Sequence, residues 1–184
     1  VAIVDEHDAV TDEHLVFDDD ALADERVRRD LAACANGGPL LIVADDAQVR
    51  ALLDSMAPVV CLVAKSDVRH VKEALRTTNE ENLASIRDSV AAAKAKGREV
   101  LVDCEHFFDG YKGNRDYALL VARTAFDSGA RWVVLCDTNG GTMPHEIERI
   151  VGEVTAVVPG DRLGIHCHND TENAVANSLA AVRA

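Results

Sequence analysis

Gly164-Ile165-His166-Cys167-His168-Asn169-Asp170 is the stretch on which the reading of the whole chain turns. The run Leu163 to His168 reads as a strand, and side chains alternate between the faces of a strand, so His166 and His168 project from one face and Cys167 from the other. Two imidazoles placed in this way can share one ion. They suit zinc and manganese, and an added carboxylate or carbonyl ligand extends the choice to magnesium. An isolated H-x-H is also found in strands that bind nothing. Here two other apolar runs end in the same manner, one in Cys104-Glu105-His106 and the other in Cys136-Asp137-Thr138-Asn139. Apolar strands that finish in reactive groups and are separated by helices describe one active-site rim.

The chain has 184 residues, 48% of them hydrophobic and 28% charged, which suffices for one buried core and is short for two. With 19 Lys plus Arg against 32 Asp plus Glu, the net charge of -13 leaves no basic face for a phosphate backbone, so nucleic acid is excluded as the expected partner. A small anionic metabolite is compatible with this charge, because a few local cations and a metal outweigh distant carboxylates. The five cysteines, Cys34, Cys61, Cys104, Cys136 and Cys167, form no C-x-x-C pair, and most lie in apolar runs, which fits a reducing cytosol. No apolar run in these residues is long enough for a membrane span, and neither a span nor a signal peptide is expected.

The periodicity predicts strands alternating with helices. Val1 to Val4 is a short apolar start, followed by an acidic run to Asp30 that reads as solvated surface; a helix is expected from Ala21 to Ala35 and strands at Leu40 to Ala44 and Val59 to Val63, both buried on two faces. Asp46 opens a helix through Leu53. Asn79 is the expected cap of an amphipathic helix from Glu80 to Lys96, with Leu83, Ile86, Val90 and Ala93 on one face and Gly97 closing it. A strand from Glu99 to Asp103 leads into a loop, Cys104 to Lys112. Asn114 caps the next helix, where Tyr117, Leu120, Val121 and Thr124 share a face. Trp132 to Cys136 is a strand, Pro144 to Val157 a helix, and Thr171 to Ala184 an alanine-rich helix capped by Asp170. About six βα units indicate a parallel sheet. No G-x-G-x-x-G or Walker loop follows any strand, so a (β/α)8 barrel is favoured over a nucleotide-binding sheet. Six strands do not close such a barrel, which typically takes about 250 residues.

Three segments carry a family resemblance: Glu105-His106-Phe107-Phe108-Asp109-Gly110-Tyr111-Lys112, Leu135-Cys136-Asp137-Thr138-Asn139-Gly140-Gly141, and Gly164 to Asp170 continued by Ala174-Val175-Ala176-Asn177-Ser178. In order and register they resemble the citramalate synthases, a family grouped with 2-isopropylmalate synthase, homocitrate synthase and 3-hydroxy-3-methylglutaryl-CoA (HMG-CoA) lyase. The resemblance is strong over 59–184 and weak over 1–58. It implies an α/β fold that is part of a TIM barrel, one incomplete catalytic domain over 1–184 lacking the first and last strands. The D-x-T-L-R-D-G motif of the family's first strand, with its metal-binding Asp and substrate-binding Arg, has no counterpart. Nor has the second-strand E-G-G motif, of which Val1 to Val4 would be a remnant. G-K-S-W-x-x-H appears as Ala64-Lys65-Ser66-Asp67-Val68-Arg69-His70.

The resemblance implies a condensation of acetyl-CoA with pyruvate to (R)-citramalate, assisted by a divalent metal (Mn, Mg or Zn), with condensation on another keto acid, as in 2-isopropylmalate or homocitrate synthase, as the alternative. A truncated barrel without activity of its own is the other alternative. It assigns the metal to His166 and His168, the acid-base role to Glu105, the keto acid's carboxylate to Thr138, and further substrate contacts to Lys65 and His106. Asn169 and Asp170 are expected to brace the histidines. Asp109, Tyr111 and Lys112 are further loop contacts. The family also implies a cytoplasmic homodimer in branched-chain amino acid (isoleucine) biosynthesis.

Overall fold

The computed structural model of the chain describes residues 2–4, 47–55 and 57–184. The expected helix at 21–35, the strand at 40–44, the acidic run and the helix start at Asp46 lie outside the described residues. The elements in order are β1 (Ala2–Val4), α1 (Ala47–Asp54), β2 (Val59–Lys65), α2 (Val68–Glu73), α3 (Asn79–Ala95), β3 (Glu99–Glu105), α4 (Phe107–Gly113), α5 (Arg115–Asp127), β4 (Trp132–Asp137), α6 (Pro144–Val154), β5 (Leu163–Cys167) and α7 (Ala174–Arg183). All pairings are parallel, in the order β1-β5-β4-β3-β2, so each strand from β2 to β5 lies beside the next in sequence. That is the arrangement produced when every crossover is one helical layer on a continuous sheet.

Strand residues of one parity share the core with the helices. Val60, Leu62, Ala64, Val100, Val102, Cys104, Val133, Leu135, Leu163, Ile165 and Cys167 pack with Ile86, Val90, Phe107, Phe108, Val121, Ile147, Ile150 and Val154. Residues of the other parity form the second, inner face. The expectation that β2 is buried on both faces is corrected: it alternates, with Cys61, Val63 and Lys65 only half-buried. It is an edge of the described sheet, and helices cover one side of it.

Four local expectations change for physical reasons. The segment after β3 is not a loop: the strand continues through Glu105, and 107–113 is helix α4, because Phe107, Phe108 and Tyr111 bury together against the core. Thr78, not Asn79, caps α3; its hydroxyl accepts from Glu81 N, and the Glu81 carboxylate accepts in turn from Thr78 N, a reciprocal capping box. Asp170 does not cap α7: the N-cap position is Asn173, whose side chain makes no capping bond, and the first helical N–H, that of Ala174, donates to Asn169 Oδ1 at 3.2 Å. Leu120, expected on the buried face of α5, is 45% exposed, and Ala118, Ala122 and Ala125 take its place in the core.

Strand β1 pairs with β5, matching Val4 to His166. It therefore does not occupy the place of a second barrel strand, which would stand beyond β2. The bare edge of β5 offers unpaired backbone groups to any short apolar segment, and Ala2-Ile3-Val4 satisfies them.

Candidate functional site

The inner face collects the reactive side chains because the register of the parallel ladder places them level. Lys65 and Glu105 are direct partners across β2 and β3, and the Lys65 ammonium donates to the Glu105 carboxylate. The Lys65 carbonyl at the strand's end accepts from Asn82 Nδ2 at 3.0 Å, and the same amide donates to Tyr117 Oη at 2.8 Å. Helices α3 and α5 thus fix where β2 stops, and with it the position of the Lys65 side chain.

His106 follows Glu105 with φ of 54°, a left-handed conformation that costs a non-glycine residue roughly 1 kcal/mol or more. That turn aims its N–H at Thr138, whose Oγ1 accepts at 2.8 Å. A hydroxyl has one proton and two lone pairs, so Thr138 still has a proton to donate. The imidazole of His106 meets His70 edge to face at 4.2 Å between centroids, and its Nδ1 lies 3.6 Å from Asp109 Oδ2, within ion-pair range and beyond a hydrogen bond. Burial and the neighbouring His70 lower the His106 pKa, while Glu105 and Asp109 oppose them. Asn139 Nδ2 donates to Asp109 at 2.6 Å, closing the rim between α4 and the loop after β4.

Two of the supports are steric and polar locks. A Cβ on Gly110 would stand 2.7 Å from the Ser66 carbonyl carbon and closer still to its oxygen, so α4 seats on the loop after β2 only because that position is glycine. Asp137, 1% exposed on the helix side, accepts from Thr142 N at 3.2 Å and Thr142 Oγ1 at 2.7 Å. Asn177 from α7 donates to the Thr142 carbonyl at 2.8 Å. This network holds the loop that presents Thr138.

At the carboxyl end of β5 the rings of His166, in the strand, and His168, just past it, are 4.9 Å apart and tilted by 32°, both half-buried. Cys167 lies in the helix-side core, where burial pushes its thiol up to about 12. Beside His166, at its paired position on β4, is Cys136, and Asp103 on β3 completes a group whose ligand atoms all lie within 4.8 Å of one another. The donor chemistry and common face of His166 and His168 fit a divalent cation. Of the residues singled out in the sequence, the structure joins Lys65 to Glu105, His106 to Thr138, and His166 to His168. Sequence reasoning missed Asp103, Cys136 as an inner-face group, and the Asp137–Thr142–Asn177 network. Counting back by two from Glu105 and from Thr138 would have put Asp103 and Cys136 on the reactive face; no local pattern announces Asn177.

A single-layered run of parallel βα units with polar groups gathered at the carboxyl ends of its strands is the class of structure seen in part of a TIM barrel. Among solved structures, the HMG-CoA lyase of Bacillus subtilis superposes with a TM-score of 0.69 at 17% identity, covering 77% of this chain and 48% of that one. The sequence model of the HMGL-like family matches residues 39–184, and the chain belongs to that family. It is 60% identical over 141 residues to the (R)-citramalate synthase of Streptomyces coelicolor, covering 77% of this chain and 26% of the relative. It is 53% identical over 142 residues to that of Aquifex aeolicus, covering 77% and 27%. A homocitrate synthase of Sulfurisphaera tokodaii is more distant, 38% identical over 117 residues, covering 64% and 25%. The chain thus spans about a quarter of the length of the curated relatives it matches.

Proposed function

We propose that residues 1–184 are the central part of a catalytic barrel domain whose complete protein condenses acetyl-CoA with pyruvate to give (R)-citramalate. The observation that carries this reading is the 60% identity to an (R)-citramalate synthase over 141 residues of this chain. Condensation with a larger keto acid is the second reading, favoured by the match to homocitrate synthase, since one or two methylenes in a pocket shift preference by only about 1–3 kcal/mol.

His166 and His168 would hold the divalent cation, which when bound supplies a Lewis acid for the keto oxygen. Thr138, with one lone pair engaged by His106 N–H, donates its hydroxyl proton to the keto acid's carboxylate. Glu105 accepts or relays the proton removed from the acetyl methyl group. Lys65 steadies its carboxylate, and the αL turn at His106 keeps the two neighbouring residues, one facing the substrate and one facing Thr138, in register. The complete enzyme is a cytoplasmic homodimer serving branched-chain amino acid (isoleucine) biosynthesis; among the described residues no helix is long and apolar enough to cross a membrane.

The test is CoA release with a panel of keto acids, run on a form extended to the relatives' full length and on the 184-residue chain. Pyruvate is expected to be the preferred acceptor for the first. The second is expected to be inactive or nearly so, because it lacks the D-x-T-L-R-D-G residues. No turnover of pyruvate by the extended form would reject the reading.

A further inference from the structure

We infer that Asp103, Cys136 and His166 form a second cation position, selective for thiophilic divalent ions such as zinc. The three residues come from three adjacent strands and share the inner face. Cys136 and His166 are direct partners in the β4–β5 ladder, while Asp103 is partnered with Val134, the residue two before Cys136 on the same face. Their ligand atoms lie within 4.8 Å of one another. Tetrahedral zinc, with bonds of about 2.0–2.3 Å, separates its ligands by roughly 3.3–3.8 Å, so side-chain rotation of about an ångström closes the site. All three residues stand inside strands rather than on loops, so the parallel ladder holds the backbone around the position.

The donor set decides which ion. One carboxylate oxygen, one thiolate sulfur and one imidazole nitrogen suit zinc or cobalt and disfavour magnesium and calcium, which take oxygen. A thiolate and a carboxylate also balance a divalent charge within a half-buried to buried pocket, where an uncompensated ion is costly. Loss of a thiol proton to solvent accompanies binding, and no bond to carbon is made or broken. The position is distinct from the pair formed by His166 and His168: it uses Cys136 and Asp103, which that pair does not need, and leaves His168 out. The two positions share the His166 imidazole, so a thiophilic ion in one alters what the other can hold.

Cobalt(II) reports the difference without any assay of activity. The reduced 184-residue chain is titrated with Co2+ and followed in the near ultraviolet, where a thiolate bound to cobalt gives a charge-transfer band, and in the visible, where tetrahedral cobalt absorbs. One equivalent is expected to develop both bands, and Zn2+ to abolish them by displacement. Cys136→Ser, or Cys136→Ala if the serine variant does not fold by circular dichroism, is expected to lose the charge-transfer band. Asp103→Asn is expected to weaken Co2+ binding at least roughly tenfold, since even an outer-sphere partner is worth about 10–100-fold. His168→Ala and Cys61→Ser are expected to retain the band. A native chain without the band, a band that survives loss of Cys136, or one abolished by His168→Ala would overturn the assignment.

Discussion

Cys104 and Glu105 are consecutive on β3, and His166 and Cys167 on β5, yet in each pair one side chain is sealed among helices and the other stands among reactive groups. On the helix side the strands present Val, Leu, Ile, Ala and cysteines that behave as small hydrophobes; burial and the neighbouring Asp103 push the Cys104 thiol up to about 12. On the inner face the same strands present Lys65, Asp103, Glu105, Cys136 and His166. The chemistry of a residue here is set by its parity within the ladder. Substitutions on the helix side should therefore act on stability, and those on the inner face on ligands and turnover.

The sharpest break between the faces is expected at Glu105. Glu105→Gln in the extended enzyme should lower kcat roughly 10²–10⁴-fold with little change in the urea midpoint of unfolding. An unchanged kcat would remove Glu105 from the acid-base role. The opposite behaviour is expected of Phe108→Ala, which empties a fully buried site and should cost about 3–5 kcal/mol by chemical denaturation. Gly110→Ala tests the seat of α4 on the Ser66 carbonyl; overpacking against backbone should cost on the order of 1–3 kcal/mol, and a neutral result would mean that α4 is not pinned there. Thr78→Ala, far from both faces, should cost about 1 kcal/mol through loss of the α3 cap.

The smallest effect expected is a pH dependence on the rim. Burial and His70 hold the His106 pKa below its ordinary 6.5. The unfolded chain takes up the proton near 6.5 while the folded chain stays neutral. This contribution is therefore flat above about pH 6.5, and stability falls as the pH drops from there towards the lowered folded value. Urea unfolding at about pH 5.5 and about pH 7.5 should show a smaller difference for His106→Asn than for the native chain. Asparagine tolerates the left-handed backbone, so the variant isolates the titration from the turn. Two carboxylates on α6 act in a separate window: Glu146, held low by the Met143 N–H and Lys112, and Glu153, held low by Tyr111 and Arg115, lose their stabilisation only as the pH falls through the carboxylate range.

Much of this architecture is legible in the amino-acid sequence. Ile147, Ile150, Val151 and Val154 announce α6 by spacing and are all buried, and Gly97 and Gly129 mark helix ends with positive φ. The H-x-H alternation puts His166 and His168 on one face and Cys167 on the other, since a period of two is a property of the strand itself. These local features follow from the covalent chain and its hydrophobic pattern. What the chain alone does not decide is the register between distant segments. That Lys65 meets Glu105, that Cys136 stands beside His166, that Asn177 secures the loop of Thr138, and that β1 lies against β5 depend on which strand edges and helix faces come together. Helix α4 is hidden for the same reason. Its aromatic residues look like a reactive loop in sequence, and only the core that Phe107 and Phe108 enter makes them helical and buried.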